Sequence, residues 1–341
     1  MKRHIIGLIS IVVLAMVMAG CGGNAETAVE APAQDAGPDY SDERYVLIAP
    51  HIGIQYWQVH KAGFEAAASE LGVQTFFTGV MGDSVEQQIA IMEQEIAKNP
   101  AGILVGPLNG PAFVPVINKA IAAGIPVITV DTDSPGSDRL SYIGTDGYAA
   151  GQKAADIMAE LIGEEGKVGV SNLVGFEACE ARARGFIDRI DEAYPNMDVV
   201  AVVDDKADTE VATRVNSEMI IANPDIKGIF GTDGVSPIGM GAAVKNLNKV
   251  GEITLLGFDP MPQTLQLMEE GVVEATMVQR TFAMSYYGLK MLFDYNRASL
   301  ELVKGWDVEN VQKDGVNTLP NFTDTGIMVV DKTNYKNFEE K

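Results

Sequence analysis

The sequence predicts an α/β protein with two lobes, each a parallel β-sheet flanked by helices. Short apolar, β-branched segments alternate with segments of helical periodicity along most of the chain, a pattern typical of parallel sheets covered on both faces. About 300 residues follow the N-terminal region, which is more than one hydrophobic core usually contains. One arrangement of motifs also occurs twice, as expected for two copies of an α/β unit.

The first half of the chain shows the alternation clearly. Strands are predicted at YVLIAP (45–50), VQTFF (73–77), GILVG (102–106) and IPVITV (125–130). Helices are predicted over 57–71, 83–98 and 111–123. Asp83 is expected to begin the second of these helices, because Glu86 follows three positions later with the spacing of a capping box.

The second half repeats the pattern and one detail of it. Strands are predicted near 167–171, 198–203, 226–231, 253–257 and 274–278. Asn99-Pro100 precedes a strand, a helix and a strand that ends at Asp131, and Asn223-Pro224 precedes the same series ending at Asp259. Chance similarity between two generic α/β stretches is the alternative. If the repeat is real, the two aspartates end matching strands, where open α/β sheets bind ligands.

The N-terminus predicts export and a lipid anchor. Lys2 and Arg3 precede an apolar stretch from Ile5 to Ala19, so residues 1–20 are predicted to be a secretory signal peptide. Residues 21–43 have few large apolar side chains and are predicted to form a flexible linker. Two alternatives are a membrane span, for which the stretch is short, and an ordinary secreted protein in which Cys21 lies near the cut by chance.

Charge and composition exclude several function classes. The formal net charge of -22 becomes -24 once Lys2 and Arg3 are removed, which argues against binding to nucleic acid or to anionic lipid. Cys179 is expected to be a small buried residue. The sequence has no His-x-x-x-His pair, Cys-x-x-Cys pair or Gly-x-Ser-x-Gly elbow. We therefore predict a protein without catalytic activity, cofactor or metal.

Aromatic and acidic residues are the candidates for ligand binding. Tyr56 and Trp57 are expected in the loop before the first helix, where an exposed aromatic pair favours a ligand. Packing of both rings on the lobe is the alternative. Asp131, Asp233 and Asp259 follow predicted strands. Each could instead cap a helix or a turn, but their recurrence in both halves favours a site.

Five segments together resemble the periplasmic sugar-binding proteins of ABC importers, of the ribose-binding type. The resemblance covers about residues 44–331 and is carried by GIPVITVDTDSPGSDRLSYIGTDGYAAG (124–151), RARGF (182–186), NPDIKGIFGTDG (223–234), LLGFD (255–259) and GVVEATMVQ (271–279). Met18-Ala19-Gly20-Cys21 also resembles the lipobox of bacterial lipoproteins, with methionine where leucine is usual.

The resemblance implies a type I periplasmic binding protein fold, with two Rossmann-like lobes joined by three hinge crossovers. It implies an N-terminal lobe of residues 44–145 plus 281–322 and a C-terminal lobe of residues 146–280 plus 323–341. The crossovers would lie near 144–147, 279–282 and 321–325. Stacking on a sugar ring is implied for Tyr56 and Trp57, and recognition of hydroxyl groups for Asp131, Arg182, Asp233, Asp259 and Gln279.

Several departures from the ribose-binding pattern make ribose itself doubtful as the ligand. An asparagine of that pattern is replaced by Gly106, its arginine after the fourth strand by Thr132, and its second-lobe aromatic by Ala207, for which Phe176 is a candidate substitute. Three carboxylates facing one Arg182 would repel an anion. A neutral sugar or polyol is therefore predicted, with a cationic amino sugar or amine as the alternative.

The implied partners are an ABC permease and its ATPase, with the monomeric protein held at the outer face of the membrane by lipid on Cys21. The alternative role is ligand binding for a chemosensory or two-component signalling system, which would read the same closure of the lobes.

Overall fold

The structure is a computed structural model that describes residues 38–82, 84–297 and 317–338. Residues from Tyr40 onward belong to one compact unit. The predicted signal peptide and Cys21 lie outside the described residues. Within the described ranges, no helix has the length and apolar character needed to cross a membrane.

Two sheets of the same design form the fold. The first has the order β2-β1-β3-β4-β5-β11 and the second the order β7-β6-β8-β9-β10-β12. The strands of the first sheet are β1 (Arg44–Ala49), β2 (Gln74–Gly79), β3 (Gly102–Val105), β4 (Val127–Val130), β5 (Ser141–Gly144) and β11 (Phe322–Asp324). The strands of the second sheet are β6 (Gly166–Asn172), β7 (Met197–Asp204), β8 (Ile226–Gly231), β9 (Thr254–Phe258), β10 (Ala275–Gln279) and β12 (Ile327–Asp331).

Helices cover both sheets, as the alternating sequence predicts. The helices that connect or follow strands of the first sheet are α1 (Gln55–Leu71), α2 (Val85–Ile96), α3 (Gly110–Ala122) and α9 (Thr281–Asn296). Those of the second sheet are α4 (Gly147–Ile162), α5 (Glu177–Ala193), α6 (Thr209–Ala222), α7 (Ser236–Asn246) and α8 (Pro262–Glu269). The strand pairs are parallel except for β10 and β12, which run antiparallel.

The central strands are buried on both faces. In β1, Tyr45 and Leu47 belong to the core on one side of the first sheet, while Val46 and Ile48 belong to the core on the other side. All four side chains are fully buried. A strand with two buried faces needs a continuous apolar run, which is why this segment does not alternate between apolar and polar residues.

One predicted helix start is wrong by a residue. Asp83 lies outside the described residues, and the N-cap of α2 is Ser84. The Ser84 hydroxyl accepts a hydrogen bond from the backbone N–H of Gln87 at 3.3 Å. Serine satisfies an unpaired N–H at a helix start in the same way as aspartate, so either residue fits the capping pattern.

The chain passes between the two sheets three times. It leaves β5 for α4 after Gly144, leaves β10 for α9 after Gln279, and leaves β11 for β12 through Thr325 and Gly326. Residues 323 and 324 pair with β5 of the first sheet, whereas the sequence assigned them to the second lobe. The other lobe boundaries stay predictions.

Two glycines allow close contact between α4 and α5. A Cβ on Gly151 would lie 2.0 Å from the carbonyl oxygen of Arg182, and a Cβ on Gly185 would lie 2.0 Å from that of Tyr148. Real Cβ atoms do not approach oxygen so closely, so any side chain here would push the helices apart. The contact therefore fixes the position of α5, which carries Arg182.

We expect Gly185→Ala to lower the free energy of unfolding by about 1–3 kcal/mol, the usual cost of overpacking. Alanine in a free helix would instead stabilise it by up to about 1 kcal/mol relative to glycine, so the sign identifies the clash. Urea unfolding measures the difference. Gly82→Ala is the control, because no atom of the described residues beyond its chain neighbours lies within 4 Å of the added Cβ. Equal unfolding midpoints for Gly185→Ala and the wild type would contradict the close contact.

Candidate functional site

Asp131 and Asp259 occupy equivalent positions in the two sheets. Asp131 directly follows β4 and Asp259 directly follows β9, and both have left-handed backbones, with φ of 66° and 62°. The N–H of Asp131 donates to the carbonyl of Ile143 at 3.0 Å, and that of Asp259 donates to the carbonyl of Met277 at 2.7 Å. The match confirms the repeat predicted from the two Asn-Pro motifs.

The backbone carbonyls of the same aspartates are also held in equivalent ways. The hydroxyl of Tyr142 on β5 donates to the Asp131 carbonyl at 2.8 Å, and the hydroxyl of Thr276 on β10 donates to the Asp259 carbonyl at 3.0 Å. A left-handed backbone is costly for a residue with a Cβ and persists only where the surroundings fix it. Bonds from the neighbouring strand supply that constraint in both lobes.

The two carboxylates and Arg182 lie close enough to influence one another. Burial raises the pKa of Asp259 from 3.8 to about 6, although the positive charge of Arg182 opposes this rise; the charges of Asp131 and Asp233 add to it. Burial likewise raises the pKa of Asp131, against a hydrogen bond from Tyr56 and the charge of Arg182. The charge of one guanidinium therefore acts on aspartates of both lobes, at the boundary between the lobes that we call the cleft.

Tyr56 connects the two lobes across this cleft. Its hydroxyl donates to Oδ1 of Asp131 and accepts a hydrogen bond from Nε2 of Gln279 at 3.1 Å. Burial and the nearby charges of Asp131 and Asp259 raise the pKa of Tyr56 well above its usual value of 10. The phenol therefore keeps its proton and remains a hydrogen-bond donor.

Trp57 is buried and both aromatics lie in a helix, so the prediction of an exposed aromatic pair in a loop is wrong. Both aromatics lie in the first turn of α1, and Trp57 is only 2% exposed. Its ring stacks on His60 with centroids 4.3 Å apart. Nδ1 of His60 lies 2.8 Å from the hydroxyl of Ser285 on α9. The indole is thus part of the lobe core beneath Tyr56.

Gly106 leaves the space that Trp57 fills. A Cβ on Gly106 would lie 2.4 Å from the Cη2 atom of the indole. These residues follow the neighbouring strands β3 and β1, between which the strand order of the first sheet reverses. Open α/β sheets bind ligands at such a reversal. Gly106, which replaces an asparagine of the ribose-binding pattern, is therefore needed to make room for the bulky indole of Trp57.

Arg182 is held in the second lobe by two contacts. The guanidinium lies over the ring of Phe258, with Cζ 3.7 Å from the centroid, and one of its terminal nitrogens donates to the carbonyl of Thr232 at 2.8 Å. Its side chain is buried, and within the described part of the chain its Nε has no hydrogen-bond partner. Buried donors without a partner are uncommon in folded proteins, so this N–H is a donor that the described residues leave unused.

Asp233 uses its carboxylate in the start of its own helix. Its Oδ1 accepts bonds from the N–H groups of Val235 at 2.7 Å and Ser236 at 3.0 Å, and its Oδ2 accepts from the Ser236 hydroxyl at 3.0 Å. Burial, followed by the charge of Asp205, raises the pKa of Asp233. These bonds form a turn just before α7, whose N-cap is Val235, and a turn is one of the structural roles that the sequence left open for Asp233. Ligand contact by Asp233 stays a prediction.

Other residues named from the sequence have different surroundings. Phe176 precedes α5 and is 53% exposed, and Ala207 has a left-handed backbone with φ of 50°. Cys179 is buried with a free thiol, as predicted. Arg139, which the sequence did not single out, pairs with the carboxylate of Asp133 at 2.5 and 2.6 Å. The sequence alone gives no sign of this ion pair, which becomes visible only in the folded structure.

The site contains hydrogen-bonding groups but no metal cluster. Among residues 38–82, 84–297 and 317–338, no three His, Cys, Asp or Glu side chains are arranged to hold a metal ion. Two similar α/β lobes with carboxylates, an arginine and a tyrosine between them define a two-lobed ligand-binding protein. The chain belongs to the family described as the periplasmic binding protein domain, which matches residues 45–298.

Relatives of the chain are sugar-binding proteins. The D-allose-binding periplasmic protein of Escherichia coli is 25% identical over 269 residues, covering 76% of this chain and 86% of that protein. The arabinose-binding protein AraP of Geobacillus stearothermophilus is 37% identical with a TM-score of 0.81, covering 88% of this chain and all of that one. A sugar-binding protein of a sugar ABC transporter from Bacillus halodurans is 34% identical with a TM-score of 0.82, covering 87% and 100%.

We expect Asp259→Asn to raise stability relative to the wild type at pH 7.5 but not at pH 4. The folded pKa of about 6 lies above the unfolded value of about 3.9, so the native state binds the proton more tightly. The cost of holding the charge is absent below about pH 4 and complete above about pH 6. Two pKa units correspond to at most about 3 kcal/mol.

Urea unfolding of both proteins at several pH values measures this difference. Asp191→Asn is the matched control, because Asp191 lies on α5 with an exposed side chain. A difference between Asp259→Asn and the wild type that stays constant from pH 4 to pH 7.5 would contradict the raised pKa.

Proposed function

We propose that the protein is an extracytoplasmic receptor that captures a neutral sugar or polyol between its lobes and delivers it to an ABC permease. The observation that carries the proposal is that Asp131 and Asp259 end matching strands of the two lobes, where Tyr56 bonds both Asp131 and Gln279 and the charge of Arg182 acts on both aspartates. Charged side chains make strong hydrogen bonds to neutral hydroxyl groups, and a sugar presents several of them. The names of the relatives support sugars as the ligand class.

The charges of the cleft favour a ligand without negative charge. Two buried carboxylates face one guanidinium, and burial already disfavours their charged forms. A ligand carboxylate or phosphate would add repulsion in a poorly solvated space. A cationic amino sugar is the second candidate ligand, because an ammonium group would compensate the excess of carboxylates.

The proposed binding residues are Tyr56, Trp57, Asp131, Arg182, Asp233, Asp259 and Gln279. Their structural roles differ. Asp131, Asp259, Arg182 and Gln279 supply polar groups, whereas buried Trp57 supports the ring of Tyr56 from below, with the two centroids 6.0 Å apart. Asp233 contributes chiefly by its charge and by holding the start of α7. The relatives are binding proteins, which supports binding and not catalysis as the activity.

A signalling role is the second candidate function. One similar structure, 27% identical with a TM-score of 0.70, is a mutant form of a XylFII-LytSN complex. A receptor that closes on a sugar can present its closed form to a sensor as well as to a permease. Genes for a permease and ATPase beside this gene would favour import, and a gene for a sensor kinase alone would favour signalling.

Sugar binding is testable by thermal denaturation and calorimetry. We expect at least one of D-allose, D-ribose, L-arabinose, D-galactose, D-xylose or D-glucose to raise the melting temperature, since a ligand at 100 times its Kd stabilises the folded state by about 2.7 kcal/mol. For the sugar that binds best, Asp259→Ala should weaken binding by about 2 kcal/mol or more, because a charge-assisted hydrogen bond is lost.

Asp191→Ala on the surface of α5 is the control and should bind like the wild type. If none of these sugars stabilises the protein but glucosamine or an amine does, the ligand is cationic and the neutral-sugar proposal is wrong. Unchanged affinity of Asp259→Ala would remove this carboxylate from the site.

We also propose that lipid on Cys21 anchors the protein to the outer face of the membrane. The support is the sequence of residues 1–21, in which a basic start and an apolar stretch precede small residues and the cysteine. We expect mass spectrometry of the detergent-extracted protein to find Cys21 as the acylated N-terminal residue. Cys21→Ser should shift the protein to the soluble fraction, and an unmodified cysteine in the wild type would contradict the anchor.

A further inference from the structure

The hydroxyl of Tyr56 already makes the contacts that a sugar hydroxyl would make. It donates to Oδ1 of Asp131 in the first lobe and accepts from Nε2 of Gln279, the last residue of β10 in the second lobe. Each partner is a proposed ligand-binding group. The cleft therefore contains one hydroxyl supplied by the protein, bonded as acceptor and as donor between the two lobes.

The Tyr56 hydroxyl occupies some of the hydrogen-bonding groups that Asp131 and Gln279 could offer to a ligand. A carboxylate has two acceptor oxygens and a primary amide has two N–H donors, so Tyr56 takes one of each from Asp131 and Gln279. The raised pKa of Tyr56 keeps the phenol protonated and committed as a donor. Displacing it would leave a buried hydroxyl without partners, which is costly.

The rings of Trp57 and His60 restrict movement of Tyr56 toward the core of the lobe. Its ring contacts the edge of Trp57 at 6.0 Å and lies 5.3 Å from the ring of His60, both measured between centroids. The indole in turn fills the space above Gly106, where a Cβ would lie 2.4 Å from it. Trp57 and His60 thus fill the space beneath Tyr56, so its side chain has no room to move toward the core of the lobe.

We infer that the Tyr56 hydroxyl occupies the place of one ligand hydroxyl and makes the cleft select a pentose over the hexose that differs from it only by a hydroxymethyl group. The inference rests on the proposed function, since it concerns how the same cleft chooses among sugars. A ligand that carries the additional group would have to compete with the phenol for Asp131 and Gln279 and for the volume of its oxygen.

Matched sugar pairs test the inference. In the pyranose form, L-arabinose and D-galactose, D-ribose and D-allose, and D-xylose and D-glucose differ only by the hydroxymethyl group on C5. Calorimetry gives Kd for both members of each pair. For the pair that binds best, we expect the wild type to prefer the pentose, and Tyr56→Phe to lower the ratio of hexose Kd to pentose Kd by about tenfold, the effect of one charge-assisted hydrogen bond.

Tyr148→Phe is the control, because it removes a tyrosine hydroxyl that bonds Asp188 on the surface of α5. It should leave the ratio unchanged. If Tyr56→Phe does not fold, Tyr56→Met removes the same hydroxyl; loss of the ring weakens both sugars, and the ratio should still fall.

The possible failures are distinguishable. If the wild type binds a pair but prefers the hexose, or if removing the hydroxyl changes both Kd values by the same factor, the inference is overturned and the proposed function stands. If the wild type binds none of the six sugars, the proposed function fails and the inference fails with it.

Discussion

The excess of carboxylates over cations in the cleft is the constraint on which the site depends. Asp131 belongs to the first lobe and Asp259 to the second, the charge of Arg182 acts on both, and burial makes both carboxylates costly to ionise. The surrounding structure holds the guanidinium of Arg182 in place. The arginine is fixed by the ring of Phe258, and the helix that carries it is fixed by a glycine contact. A neutral polyhydroxyl ligand would satisfy these groups without adding charge.

The fold was predictable because buried parallel strands leave a strong trace in the sequence. The apolar runs near β1, β3, β4 and β9 are nearly continuous, since both faces of those strands are covered. The strand predictions omit β5, β11 and β12. β11 and β12 are edge strands with at most one buried residue each, so their burial does not require a marked apolar run. β5 is an interior strand, but its sequence SYIG has only two large apolar residues in succession, which is too short a run to indicate a strand.

The candidate residues could be named from the sequence, but the contacts between them could not. The repeat of Asn-Pro and aspartate motifs located Asp131 and Asp259, because the carboxyl ends of equivalent strands occupy equivalent places. No sequence pattern could show that Tyr56 bonds both Asp131 and Gln279, which lie 75 and 223 positions away. Burial of Trp57 likewise depends on a glycine far along the chain. Such relations exist only once the strands are assembled.

The matching geometry of Asp131 and Asp259 has a consequence for how such a receptor acquires its preference. Two equivalent halves would by themselves offer a ligand the same groups from either side, yet a sugar has no such symmetry. Under the proposed function, discrimination would come from residues without a counterpart in the other half, such as Tyr56 in the first lobe and Arg182 in the second. The paired aspartates would bind hydroxyl groups of many sugars, and the unpaired residues would determine which face of the ring meets which lobe.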